Sequence, residues 1–119
     1  TITAKSGAKK RCGPPGGERR RCVTALPPPK PQAPRDVVRA VWDAAGYGWE
    51  WPFVERVVQC ESRWDPGATG RAGEAGLFQI HPVNWPRFHG RDPWDVRANA
   101  EVALEMRIEQ GWRPWSCAR

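Results

Sequence analysis

Residues 51–66 read Trp51-Pro52-Phe53-Val54-Glu55-Arg56-Val57-Val58-Gln59-Cys60-Glu61-Ser62-Arg63-Trp64-Asp65-Pro66. Proline in second place suits a first helical turn, where its missing N–H costs nothing. Phe53, Val57, Cys60 and Trp64 fall at helical spacing, and Val54, Val58 and Glu61 form the adjoining row. The spacing predicts a helix from about Trp51 to Glu61, with a carboxyl group at the end of a valine stripe. A carboxylate on the edge of an apolar face is partly desolvated, and desolvation favours its protonated form. A carboxyl group still protonated near neutral pH can serve as a general acid, donating its proton to a leaving group. A lone glutamate at a helix end is ordinarily a solvated residue; the neighbouring sequence decides.

Fifteen residues after Glu61 comes Gly76-Leu77-Phe78-Gln79-Ile80, which predicts a strand or turn lining a cleft beside it. Glycine there allows backbone to approach a ligand, and Gln79 offers both a donor and an acceptor. In an ordinary buried segment the same glutamine would bond internally. Taken together, Cys60-Glu61-Ser62, Asp65-Pro66 and Gly76-Leu77-Phe78-Gln79 resemble the lysozyme-like lytic transglycosylases. The run Gln110-Gly111-Trp112-Arg113-Pro114-Trp115-Ser116-Cys117 is similar to the closing segment of actinobacterial resuscitation-promoting factors. The resemblance covers roughly residues 36 to 119.

That resemblance implies a small, mainly α (α+β) lysozyme-like domain, with a few helices around a glycan cleft. It implies cleavage of the β-1,4 bond between N-acetylmuramic acid and N-acetylglucosamine in peptidoglycan. Glu61 would serve as acid and then base while the muramyl 6-hydroxyl attacks C1, giving a 1,6-anhydro product with no water, no metal and no cofactor. Gln79 and Phe78 would lie beside substrate, and Cys60 would pair with Cys117. One family feature is absent: a tyrosine seven residues after the asparagine that opens the last helix is here Met106, after Asn99. Hydrolysis, the lysozyme outcome, is the alternative, whether of a bacterial wall enzyme or a phage lysin. A non-catalytic peptidoglycan- or polyanion-binding module is another.

No second acid announces itself, although many glycosidases use two carboxyl groups. Asp65 before Pro66 reads as a turn residue, and Asp92 and Asp95 as turn and helix-cap residues. Glu74, in a glycine-rich loop, defaults to solvent but can reach the cleft. His81 and His89 lack metal-ligand spacing with any cysteine and read as surface or cleft-edge residues. All eight tryptophans lie after residue 41. Most must be core, Trp42 and Trp112 among them. Trp64, Trp85 and Trp94, in turn-rich stretches, are the candidates for stacking on sugar.

At 119 residues the chain supports one domain and an arm. Residues 1–35 carry nine Lys/Arg against Glu18, whereas residues 36–119 carry ten Arg against twelve acids. Seven of the thirteen prolines also fall in residues 1–35. The chain therefore divides near Pro34 into a disordered or extended basic arm and linker (1–34) and a globular domain (35–119). Such an arm suits anionic wall polymers better than nucleic acid when the attached domain is wall-directed. Four cysteines in a small tryptophan-rich chain suggest disulfides and a secreted or wall-associated protein, a virion included. Cys12 with Cys22 would close a short basic loop around Gly13-Pro14-Pro15-Gly16-Gly17. No stretch is apolar enough to span a membrane.

Three helices are expected in the domain. Asp36 caps the first, which runs through Val37, Val38, Val41, Trp42 and Ala45 to a stop at Gly46. The Trp51–Glu61 helix follows. The last runs from about Val96 to Gln110, with Ala100, Ala103, Leu104 and Ile108 inward and Gly111 as its stop.

Overall fold

The structure, a computed structural model, describes residues 32–119 and the backbone of residues 11–12 and 22–23. The chain divides into two units, Thr1–Pro31 and Gln32–Arg119. In the first, β1 (Arg11–Cys12) and β2 (Cys22–Val23) pair antiparallel, with Cys12 opposite Cys22. The bond expected between those cysteines, and the rest of the basic arm, lie outside the described residues.

The second unit is mainly helical. α1 spans Pro34–Ala44. Its start corrects the sequence reading: Pro34 occupies the first turn, and the carbonyl of Ala33 accepts from the amides of Asp36 (3.0 Å) and Val37 (3.1 Å). Asp36 makes no cap hydrogen bond; it lies in the first turn, where a negative charge opposes the helix dipole. Val37, Val38, Val41 and Trp42 face inward, and Gly46 turns the chain at φ +85°.

A 3₁₀ turn, Gly48–Glu50, leads into α2 (Trp51–Ser62). Val54, Val57 and Val58 are buried, and the left-handed Arg63 (φ 55°) caps the end through its amide to the Gln59 carbonyl. Residues 63–95 are turns, with isolated bridges Thr69–Ala75 and Ala75–Ile80 and a 3₁₀ stretch at Pro82–Phe88. Asp95 then caps α3 (Val96–Gln110) by accepting from the Ala98 amide at 2.9 Å, and Gly111 ends it. Ala100, Ala103 and Leu104 are buried as expected, but Ile108 is half exposed (51 %). It lies at the rim of an open apolar groove between α1 and α3, where neither helix covers the last turn. Among the described residues, no helix is long and apolar enough to cross a membrane.

The core is aromatic. Trp42 stacks on Phe78 at 5.3 Å and on Trp112 at 6.2 Å, and Trp115 meets Phe78 edge-on at 6.2 Å. One buried ion pair braces this cluster. Glu50, only 5 % exposed, accepts from the Arg107 guanidinium at 2.6 Å and from the indoles of Trp42 (3.2 Å) and Trp112 (3.3 Å). Burial pushes its pKa up, but those donors and the Arg107 charge outweigh it and hold the carboxyl below its ordinary value.

Finally, Cys60 and Cys117 form a disulfide with Cα atoms 5.9 Å apart, as the resemblance implied. It closes a loop across 57 residues, worth about 4 kcal/mol through restriction of the unfolded chain. A domain this small gains noticeably from such a staple.

Candidate active site

Glu61 continues the row of Val54 and Val58 into the last turn of α2, and it emerges half-buried at the floor of a cleft. The cleft encloses about 390 Å³ and has three walls. The end of α2 contributes Glu61. The loop of residues 70–81 contributes Gly70, Arg71, Glu74, Gln79 and His81, and the C-terminal stretch contributes Pro114, Trp115, Ser116 and Arg119. The Cys117 amide, brought there by the disulfide, donates to Glu61 Oε2 at 3.3 Å. No hydrogen bond among the described residues occupies Oε1.

The Glu61 pKa is raised. Burial is the main cause, the Cys117 amide opposes it, and the charge of Glu74 adds to it. The protonated form therefore persists to higher pH than for a free glutamate. Among the described residues no group of three His, Cys, Asp or Glu side chains is arranged to hold a metal ion. A larger groove of about 500 Å³ between α1 and α3 is mostly apolar, and Glu101 and Glu109 on its rim are tied to Arg91 and Arg87. The smaller cleft is the more polar of the two, and it holds Glu61.

The segment Gly76–Ile80 takes the turn form, one of the two expected, and its backbone approaches Asn99. The Phe78 amide donates to Asn99 Oδ1 at 2.9 Å, and Asn99 Nδ2 donates to the carbonyls of Ala75 and Pro93, each at 2.9 Å. Gly76 sits at φ +75°, and a Cβ there would lie 2.7 Å from Asn99 Nδ2. Glycine is needed for that internal contact. Phe78 is 0 % exposed, sandwiched by Trp42 and Trp115 with its carbonyl accepting from the Trp115 indole at 2.9 Å. Its ring has no face left for sugar, so the expected substrate contact is corrected to a core role.

Gln79 does reach the cleft. At φ 49° its side chain folds back, and Nε2 donates to the carbonyls of Gly76 (3.0 Å) and Ala68 (3.3 Å). Its donor is thus spent internally, leaving Oε1 as the acceptor.

Trp64 and Trp85 do not line this cleft. Trp64 lies between the Arg35 guanidinium (4.7 Å) and Trp51 (6.1 Å), beside a separate hollow over Pro52, Arg56 and Gln59. Trp85 donates its indole N–H to the Ile80 carbonyl at 3.1 Å and packs edge-on against Trp94, itself bonded to the Ala68 carbonyl. Turn positions made these rings look available, but their N–H groups or faces are used to hold the 68–80 loop and the α1–α2 seam.

Sequence reasoning missed Arg71, Trp115, Ser116 and Arg119 as cleft residues. The one signal present was Cys117: a bond to Cys60 must bring its neighbours beside Glu61. His81 is at the cleft edge as expected, with Nδ1 accepting from the Val83 amide at 3.0 Å. Asp65 and Asp92 close local turns to Gly67 and Trp94, each at 2.9 Å.

Residues 42–106 match the family model described as the transglycosylase SLT domain. No curated protein and no solved structure matches the chain. The matched span contains Glu61, Gly76–Ile80 and Asn99, and it stops short of Trp115 and Cys117.

Proposed function

Because the chain belongs to the transglycosylase SLT domain family, we propose that it cuts the β-1,4 bond between N-acetylmuramic acid and N-acetylglucosamine in peptidoglycan, with Glu61 as general acid and then base. The observation that carries this reading is the placement of Glu61: half-buried, its pKa raised chiefly by burial, one oxygen braced by Cys117 and the cleft in front of it. The protonated carboxyl gives its proton to the glycosidic oxygen as the C1–O bond breaks. The resulting carboxylate then takes the proton of the muramyl 6-hydroxyl as that oxygen bonds to C1. The product is a 1,6-anhydro sugar, and no water is consumed. Gln79 Oε1 and the cations Arg71 and Arg119 are the polar groups available to position the glycan.

Digestion of purified peptidoglycan, followed by mass analysis of the released muropeptides, tests the reading. Anhydro ends are expected. Products heavier by one water and reducible at the muramic acid end would make the protein a muramidase instead. Release of nothing, with the glycan still bound, would leave a binding module.

The basic stretch 1–34 is assigned to anionic wall polymers, on the strength of nine Lys/Arg against one acid in residues 1–35. On this reading the protein works outside the cell or in the wall. Retention of the full chain on insoluble walls should fall steeply as salt is added, because screening shortens the reach of surface charge. Removal of residues 1–33 should lower retention and abolish most of that salt dependence. Unchanged retention and unchanged salt dependence would reduce the arm to a tether.

A further inference from the structure

The second carboxylate of the cleft is Glu74, whose position is set by unusual care in the surrounding backbone. The loop around it is closed by the Gly70 amide to the Glu74 carbonyl (2.8 Å) and the Gly73 amide to the Gly70 carbonyl (3.0 Å). The Glu74 side chain is itself held, with Oε1 accepting from the Ala72 amide at 3.0 Å. Gly70 lies directly beneath: a Cβ there would collide with both Glu74 Oε1 and Gln79 Oε1. The absence of a side chain at residue 70 is thus what lets two oxygens converge on the same wall, facing the cleft that contains Glu61.

The remaining charged or titratable groups around the cleft are Arg71 and His81 on the same loop and Arg119 on the C-terminal stretch. The charge of Glu74 bears on the Glu61 carboxyl in the direction that keeps it protonated, adding to the larger effect of burial. Like charges sharing a site disfavour ionising both.

We propose that Glu74 is a positioning residue for Glu61: its carboxylate, anchored by the Ala72 amide over Gly70, lines the same cleft and sets the charge around the acid there. The assignment rests on Glu61 being the acid. Glu74 acts through the charge it places in the cleft it shares with Glu61, and Gly70 and the Ala72 amide hold that carboxylate in place.

The test is Glu74→Gln in the full-length protein, which keeps the oxygen that accepts from Ala72 and removes only the charge. Two readouts are needed. The first is the pH profile of peptidoglycan cleavage, whose alkaline limb reports loss of the Glu61 proton. With the like charge gone, that proton leaves at lower pH, so the limb should move down. The second is a carbon NMR titration of the Glu61 carboxyl without substrate, whose midpoint should fall with the limb. Glu74→Asp should restore part of the shift, and Gly70→Ala, which displaces Glu74 Oε1, should reproduce part of it.

A uniform loss of rate with limb and midpoint unmoved would mean that Glu74 only shapes the loop, and would overturn the proposal. So would a limb that moves upward. If instead the limb of the wild-type protein does not follow the Glu61 midpoint at all, the assignment of Glu61 as acid fails first.

Discussion

Glu61→Gln is expected to lower peptidoglycan cleavage at least ~100-fold, the usual weight of a general acid, with the fold intact. The amide keeps the shape of the side chain and can still accept from the Cys117 amide, but it has no acidic proton to give. The stability side has a definite sign. A carboxyl whose folded pKa is raised, as that of Glu61 is by burial, contributes stability below its unfolded pKa and loses it as pH rises through the folded value. At neutral pH the charged form is the poorly accommodated one, so the neutral amide should unfold at the same temperature or slightly higher. Activity from released muropeptides and a thermal melt on the same preparation check both halves. Cleavage within a few-fold of wild type would remove Glu61 from the acid role. Loss of activity together with a lowered melting temperature would show that the residue serves the fold.

Asn99→Ala is expected to have the largest effect on stability. Asn99 is 0 % exposed and makes three hydrogen bonds at 2.9 Å, to the Phe78 amide and to the carbonyls of Ala75 and Pro93. Truncation leaves the buried Phe78 amide and Ala75 carbonyl and the part-buried Pro93 carbonyl without that partner, each buried loss costing about 1–3 kcal/mol. Partial relaxation makes the sum less than additive, leaving about 3 kcal/mol or more. For a unit of this size the melting temperature should drop by roughly 15 °C. Asn99→Leu should be no milder, since it leaves the same three groups unpaired and adds apolar volume beside Gly76. Thermal unfolding followed by circular dichroism reads the change. A drop of only a few degrees would mean that water or neighbouring groups take over the lost bonds, and that the 75–80 turn is held mainly by the packing of Phe78.

The helices were legible because their signals are local. Pro52 and the valine rows mark α2; Asp95, the alanine spacing and Gly111 mark α3. The start of α1 was misjudged because a proline preceded by an extended residue starts a helix without a side-chain cap, so Asp36 looked more decisive than it is. Glu61 was legible for the same reason as α2: its row is written every three or four residues.

The rest of the site depends on contacts between distant residues. Gly76–Ile80 looks like a wall of a cleft until Asn99, far along the chain, is seen to satisfy its backbone; only then does Phe78 become core. Glu50 and Arg107 are 57 residues apart, and nothing near either announces the other. Trp64 and Trp85 were chosen for their turn-rich surroundings, but a turn says where the backbone bends, not which way an indole finds its hydrogen bond. Glu74 reads as solvent-exposed by default, with reach to the cleft the other possibility. Its approach to the cleft depends on Gly70 and the Ala72 amide, whose arrangement follows from the folded loop rather than from any spacing.

The bond between Cys60 and Cys117 joins two kinds of chemistry that are usually separate. The same short stretch that it ties down supplies the amide on Glu61 and the third wall of the cleft. A glycan-cutting cleft endangers the cell that makes it, and here one wall is fastened only once two thiols have been oxidised. On the proposed reading, reduction of the bond would untether the stretch that braces Glu61, so cleavage is expected to be weaker before the thiols are oxidised. Comparing cleavage before and after oxidation of a reduced preparation reads that difference directly. If Glu61 is the acid, oxidation of the thiol pair would then set when that carboxyl group comes into service.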